Sequence, residues 1–177
     1  MARLRKFAAY RSMERPYTRI SNQRKKSYIR MTHNTKIIRF EMGNVKKNFE
    51  YTLFLRTKSR LQIRDNAMES ARTTSNRVLE GALGKTGFYL RIRSYPHHIL
   101  RENPVASGAG ADRFSTGMQK AFGKPIGQAI QLKADQIIFE LRIDKNNLKL
   151  GRTALKRAAS KLPCSTRIEM IENKIAA

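Results

Sequence analysis

Residues 51–66 read Tyr51-Thr52-Leu53-Phe54-Leu55-Arg56-Thr57-Lys58-Ser59-Arg60-Leu61-Gln62-Ile63-Arg64-Asp65-Asn66, and a change of period ends the run. Through Ile63 the apolar residues recur at strand spacing, with Tyr51, Leu53, Leu55, Leu61 and Ile63 on one face of a single long strand. The opposite face carries Arg56, Lys58, Arg60, Gln62 and Arg64, a polar and basic stripe. From Asn66 the spacing becomes helical. Asn66 starts the helix with Glu69 as its capping-box partner, Met68, Ala71, Ser75, Val78, Leu79 and Ala82 form the buried stripe, and Gly84 is the C-terminal cap.

Upstream, Lys36 to Met42 is a strand closed by Gly43-Asn44. Downstream, Phe88, Leu90 and Ile92 alternate with Tyr89, Arg91 and Arg93, so one face is core and the other, aromatic and cationic, suits RNA. His97 to Arg101 continues the sheet, and the apolar pattern then lapses from Asn103 to about Pro125. Ile126 to Leu132 and Gln136 to Ile143 are expected to pair with each other. A second helix runs from about Asn147 to Leu162, with Leu148, Leu155, Ala158, Ala159 and Leu162 on its apolar side, and Pro163 stops it. Thr166 to Ile171 is a last strand. Strands and helices mix without the strict alternation of parallel units, so the class is α+β, a mostly antiparallel sheet with two helices. The division read from the chain is a basic arm, 1–34, one α+β domain, 35–172, with a long loop and its return at 103–125, and a tail, 173–177.

The charge balance restricts the partner. Among 177 residues, 37 Lys and Arg face 13 Asp and Glu, a net charge of +24. Such a surface repels itself unless a polyanion neutralises it. Nucleic acid fits, because each neutralised phosphate releases a condensed counterion. A membrane is the other polyanion, but no apolar run approaches the roughly 20 residues that span a bilayer, and the cations are spread along the chain. The first 34 residues hold Phe7, Tyr10, Tyr17 and Tyr28 among their cations, with Glu14 as the one acid. They read as an extended arm whose rings stack on RNA, against the plainer reading of a disordered basic tail. The single cysteine, Cys164, excludes an intrachain disulfide, and Met1-Ala2-Arg3-Leu4-Arg5-Lys6 has no apolar stretch behind it, which points to the cytoplasm.

Catalytic motifs are not assembled. Gly84-Lys85-Thr86 imitates the end of a phosphate-binding loop, yet Leu79 stands where the first glycine is needed and a helix precedes it, so a helix cap is the better reading. Gly108-Ala109-Gly110 has Arg113 at the third glycine position of a dinucleotide fingerprint. His97 and His98, adjacent on a strand, point to opposite faces and do not form a metal pair. Cys164 has no conspicuous histidine partner, and Asp112 is the only acid between Val105 and Lys133. No cofactor or metal is expected. A phosphate-using enzyme and a DNA-compacting protein remain as competing classes.

The segment Ser107 to Gly127 differs in kind. It combines Gly108, Gly110, Gly117, Gly123 and Gly127 with Arg113, Lys120 and Lys124 and with Phe114 and Phe122. Glycines permit close approach to a phosphate chain, cations supply charge, and the rings anchor or stack. A structural loop pinned by its phenylalanines is the alternative.

Here the sequence resembles the universal large-subunit ribosomal protein family called L-sixteen in bacteria and L-ten-e in archaea and eukaryotes. The likeness lies in Phe88 to Arg101, in Gly110-Ala-Asp-Arg113 with Thr116-Gly-Met118 and Ala121-Phe-Gly-Lys-Pro125, and in Ala154 to Pro163. The arm and long loop resemble the archaeal form. The resemblance implies a hammerhead-type α+β fold without cofactor or catalysis, bound in the ribosome to large-subunit rRNA near the 5S rRNA region and beside neighbouring ribosomal proteins. It also implies that Asn103 to Gly117 reaches the tRNA ends near the peptidyl transferase centre. Ser107, Gly108, Gly110, Asp112 and Arg113 would then face tRNA in the aminoacyl and peptidyl sites. Arg56, Lys58, Arg60, Arg91, Arg93, Arg113, Lys120 and Lys124 are the expected RNA-binding residues, with Met118 to Gly127 anchoring rRNA.

Overall fold

The computed structural model describes residues 5–29, 34–103 and 123–173. Ser107, Gly108, Gly110, Asp112, Arg113 and Lys120 therefore lie outside the described residues. The strands are β1 (Glu41–Gly43), β2 (Tyr51–Thr57), β3 (Leu61–Arg64), β4 (Tyr89–Ile92), β5 (His98–Glu102), β6 (Lys124–Leu132), β7 (Ile137–Ile143) and β8 (Thr166–Glu172). Among the described residues the α-helices are α1 (Asp65–Leu83) and α2 (Leu148–Ala159). The class is α+β, and every strand pairing among the described residues is antiparallel.

The strands form two sheets, ordered β1-β4-β7-β2-β8 and β3-β6-β5. The expected long strand from Tyr51 to Ile63 is thus two. Lys58, Ser59 and Arg60 have no apolar side chain to bury, so the chain turns there, leaving the first sheet and entering the second. The turn is fastened by Thr57, whose hydroxyl donates to the Ser59 carbonyl at 2.8 Å, and by the Lys58 amide, which donates to the Ser165 carbonyl at 3.0 Å. The predicted partners Ile126–Leu132 and Gln136–Ile143 do not pair either: β6 lies between β3 and β5, and β7 between β4 and β2. The stretch around His98 belongs to the second sheet and does not continue β4. Of the expected first strand, Lys36 to Met42, only Glu41 and Met42 lie in β1, which runs on to Gly43. Ahead of it the Lys36 amide donates to the Asp65 carboxylate at 3.2 Å.

One apolar core joins both sheets to the helices. Leu53, Leu55, Leu90, Ile92, Phe139, Leu141 and Ile143 come from the first sheet, Leu61, Ile63, Ile130 and Leu132 from the second. From the helices come Met68, Ala71 and Leu79 of α1 and Ala154, Leu155, Ala158 and Leu162 beyond. In α1 the observed stripe keeps Ser75, adds Asp65 and Arg72, and leaves Ala82 exposed. The capping box does not form. Asp65, one residue earlier, accepts the Asn66 amide at 2.8 Å, and Glu69 is engaged by Arg72 at 2.8 Å. At the other end Gly84 does cap the helix, with φ +65° and its amide donating to the Glu80 carbonyl.

Helix α2 lies unusually close to the first sheet. A side chain at Gly151 would place its Cβ 2.8 Å from Leu53 Cδ1 and 3.2 Å from Leu141 Cδ2, so glycine there sets the approach distance. Burying the Gly151, Ala154, Leu155 and Ala158 face against the sheet turns the rest of this helix outward.

The second sheet is covered on both faces. Its helix-side residues join the core, while its other face, formed by Gln62, Arg64, Ala129, His98 and Leu100, receives the arm. Tyr10 packs there with Leu100 and Ala129, Gln62 Nε2 donates to the Tyr10 carbonyl at 3.0 Å, and Gln131 Nε2 donates to the Glu14 carbonyl at 2.8 Å. Two residues of the stripe expected to face outward, Gln62 and Arg64, are thereby used to hold the arm. Arg64 donates to the Arg5 carbonyl at 2.9 Å.

Candidate nucleic-acid interface

The outer face of the first sheet is the surface on which the sequence places most of its RNA-binding arginines. The register sets Glu41 opposite Arg91 and Arg91 opposite Glu140. Side chains follow: Arg91 pairs with Glu41 at 3.2 Å, Arg93 and Arg142 share Glu140 at 3.3 and 2.8 Å, Arg167 pairs with Asp135 at 3.2 Å, and Arg56 pairs with Glu169. Five arginines thus meet four carboxylates. Tyr89, expected on this face as an exposed aromatic, is buried with the Arg142 guanidinium 5.1 Å above its ring, and burial followed by Glu41 pushes its hydroxyl pKa upward. These ion pairs reduce the attraction of this face for a phosphate.

The remaining expected residues are scattered. Lys58 and Arg60 are exposed at the corner between the sheets, where Arg60 Nε lies 3.1 Å from the Met13 sulfur. Lys124 is exposed at the start of β6, opposite Glu102. The described part of the expected set therefore spans three places on the surface.

Helix α2 is the contrasting case. Lys149, Arg152, Lys156, Arg157 and, just beyond its end, Lys161 are all exposed. Among the described residues none of these five forms an ion pair. No acid occurs between Asp144 and Glu169, so none is available along the helix itself. Lys149, Arg152 and Lys156 follow one another at helical spacing along a helix about 18 Å long. Arg77 of α1 and Arg157 line one cleft together with Ser70, Thr73, Thr74 and Val78. Sequence reading missed this face as a site, although the acid-free run around it was visible.

The arm adds a second unpaired group. Arg15, Arg24, Lys25 and Lys26 are exposed and make no ion pair among the described residues. Its aromatic rings are partly committed to the protein: Arg101 lies 3.8 Å from the Tyr17 ring centroid, and Tyr17 stacks on Tyr28 at 6.1 Å. Arg5 and Tyr10 converge on Glu102 at 2.6 and 3.2 Å.

His97 and His98 point apart, one exposed and one buried. The Tyr17 amide donates to His98 Nδ1 at 2.8 Å. Burial, reinforced by His97 and Arg101, lowers the His98 pKa from 6.5 to about 4. The fold therefore keeps the neutral ring. Its contribution is fully present above pH 6.5 and is lost as pH falls toward 4, where an imidazolium can no longer accept the Tyr17 amide. Denaturation midpoints between pH 7 and pH 4 should accordingly fall less in His98→Gln, which keeps an acceptor that does not titrate, than in the unaltered chain. Equal slopes would remove His98 from the pH response.

Other chemistry is sparse. Among the described residues no group of three or more His, Cys, Asp and Glu side chains is placed to hold a metal ion, and no helix is long and apolar enough to cross a membrane. Lys85 follows the cap of α1 and is not part of a loop opening a helix.

Comparison with known proteins gives a consistent picture. The family described as ribosomal protein L16p/L10e matches residues 15–169. The chain is 44% identical over 153 residues to the large ribosomal subunit protein uL16 of Staphylothermus marinus, covering 86% of this chain and 84% of that protein. It is 40% identical over 172 residues to uL16 of Archaeoglobus fulgidus, covering 94% and 95%. It is 42% identical over 179 residues to uL16 of Nanoarchaeum equitans, covering 98% and 96%.

Proposed function

The chain belongs to the ribosomal protein L16p/L10e family, and from that premise we propose that it is a structural constituent of the large ribosomal subunit that binds large-subunit rRNA. It is not an enzyme; the family is structural. The observation that carries the RNA reading is the exposed row Lys149, Arg152, Lys156, Arg157 and Lys161, without an ion pair among the described residues, whereas the sheet arginines are largely matched by carboxylates. Cations that no carboxylate of the described residues neutralises attract an external anion, and a closely spaced row of them suits a phosphate backbone.

The finer assignments follow the family likeness. Arg56, Lys58, Arg60, Arg91, Arg93, Arg113, Lys120 and Lys124 are proposed as further rRNA contacts, α2 and the arm supplying the rest. Residues 103–117, with Ser107, Gly108, Gly110, Asp112 and Arg113, are assigned to the aminoacyl and peptidyl tRNA ends, and the 5S rRNA region and neighbouring ribosomal proteins complete the surroundings. The division into arm, domain and tail is kept on the same footing, as is residence in the cytoplasm.

Sedimentation tests this reading. A tagged chain should travel with large subunits through a sucrose gradient and stay with them through a mild salt wash. A wholly free pool in the upper fractions would contradict it.

A further inference from the structure

The connection between the sheets, residues 93–97, alternates in burial. Ser94 and Pro96 are buried, as is His98 at the start of β5, whereas Arg93, Tyr95 and His97 are exposed. Two hydrogen bonds to the backbone of β7 pin it. The Arg93 amide donates to the Ile138 carbonyl at 2.9 Å, and the Ser94 hydroxyl donates to the Ile137 carbonyl at 3.0 Å. The three outward side chains therefore project from fixed backbone at a spacing of about 6.6 Å per pair of residues.

Tyr95 stands in the middle of this row. It is 62% exposed, a large aromatic surface to leave in water. One face of its ring is occupied: Phe40 stacks on it with centroids 5.1 Å apart and planes 22° from parallel. Phe40 is held in turn by packing on the apolar core and by its carbonyl, which accepts the Ile92 amide at 2.8 Å. Among the described residues the Tyr95 hydroxyl makes no hydrogen bond, so nothing within the fold explains why this position is a tyrosine.

A guanidinium and an imidazole stand beside it. Arg93 is 44% exposed at its side chain and shares the single carboxylate of Glu140 with Arg142, so that among the described residues two guanidinium charges meet one carboxylate. His97, on the other side, is exposed and has Nδ1 3.2 Å from the Tyr95 carbonyl. A pre-stacked aromatic face flanked by donors is what one unpaired nucleotide needs, since every base offers a π-face and its flanking phosphates seek cations. An apolar protein segment would gain the ring but would do nothing for the surplus guanidinium charge that Arg93 and Arg142 hold over Glu140.

We propose that Tyr95 is a stacking platform for a single unpaired RNA base, extending the Phe40–Tyr95 stack, with Arg93 and His97 beside its flanking phosphates. The proposal rests on the RNA-binding reading above and adds a specific contact to it.

The test uses the full chain and a short oligoriboadenylate carrying one central 2-aminopurine, whose emission falls when it stacks. The unaltered chain and Tyr95→Phe should both quench the probe. Tyr95→Ala, a change at an exposed side chain, should lose the quenching and bind about tenfold more weakly. Equal quenching and affinity in Tyr95→Ala would overturn the platform while leaving RNA binding intact. Failure of even the unaltered chain to bind would instead count against the RNA reading itself. In assembled large subunits, 2′-hydroxyl acylation should rise at one unpaired rRNA stretch in Tyr95→Ala and not in Tyr95→Phe. A change confined to a neighbouring protein would assign the surface to that protein and overturn the proposal.

Discussion

Reversing Lys149, Arg152, Lys156 and Arg157 to glutamate should reduce affinity for large-subunit rRNA by about 100- to 1,000-fold near physiological salt and remove the chain from large subunits in a gradient. The four side chains are exposed, so the fold should lose little, each surface change costing no more than about 0.5 kcal/mol. What disappears is phosphate neutralisation. Each lost contact removes roughly 0.9 from the slope of log affinity against log salt, giving a variant whose slope is shallower by about 3.6. The paired sheet arginines provide the comparison. Arg91→Ala removes a guanidinium already facing Glu41 and Glu140, and the carboxylates it leaves behind are few, so its effect on affinity should be several-fold smaller than that of the helix reversal. If Arg91→Ala matched the four-residue change, the sheet face and not α2 would be the main contact.

The second large effect is on stability. Phe139 is fully buried in β7, with Leu55 of β2 and Ile92 of β4 as its cross-strand partners. Those two strands belong to opposite sides of the five-stranded sheet, so truncation opens a cavity at the middle of the layer that carries α2. Phe139→Ala should lower unfolding free energy by about 3–5 kcal/mol. Given total stabilities of about 5–15 kcal/mol for folded domains, that leaves a chain near the limit of folding. In urea, with a slope of about 1–3 kcal/mol per molar, the midpoint should drop by 1 M or more, roughly. Phe139→Leu, which keeps most of the volume, should cost much less. A midpoint for Phe139→Ala within a few tenths of a molar of the unaltered value would show that the layer does not depend on this ring.

How far the sequence reveals this molecule depends on the kind of information asked of it. The apolar alternation of Leu53, Leu55, Leu90 and Ile92 and the stripe of Met68, Ala71 and Leu79 identify elements and their buried faces, because burial is a local periodic signal. Partner choice is not local. Ile126–Leu132 and Gln136–Ile143 are consecutive in sequence and suit a hairpin, yet β6 and β7 enter different sheets. The polar break at Lys58–Arg60 sends β2 and β3 into those same two sheets, and the alternation continues across it with no change of phase. The core positions Leu61 and Ile63 were therefore legible while the corner between the sheets was not.

The interface divides the same way. Total charge is visible in composition, but the distinction between paired and unpaired cations is tertiary. Glu140 lies about fifty residues from Arg93 in sequence and Glu169 more than a hundred from Arg56, so nothing near either arginine warns that a carboxylate will meet it. The α2 row was more accessible. Twenty-four residues from Lys145 to Ile168 contain no acid, and a helix built from them has no means of matching its own cations. Tyr10 and Tyr17 show the converse error. Aromatic rings in a basic arm suggest stacking on RNA, but Tyr10 is buried against Leu100 and Ala129, and Tyr17 is held by Arg101 and His98.

The most direct measurement is the salt dependence of binding between the full chain and large-subunit rRNA, taken for the unaltered protein and for the four-residue α2 reversal. A linear fall of log affinity with log salt, with a slope of about −5 or steeper that flattens by roughly 3.6 in the reversed chain, is the expected result. A flat dependence in the unaltered protein, or an identical slope in both, would contradict an interface built on the unpaired cations of α2.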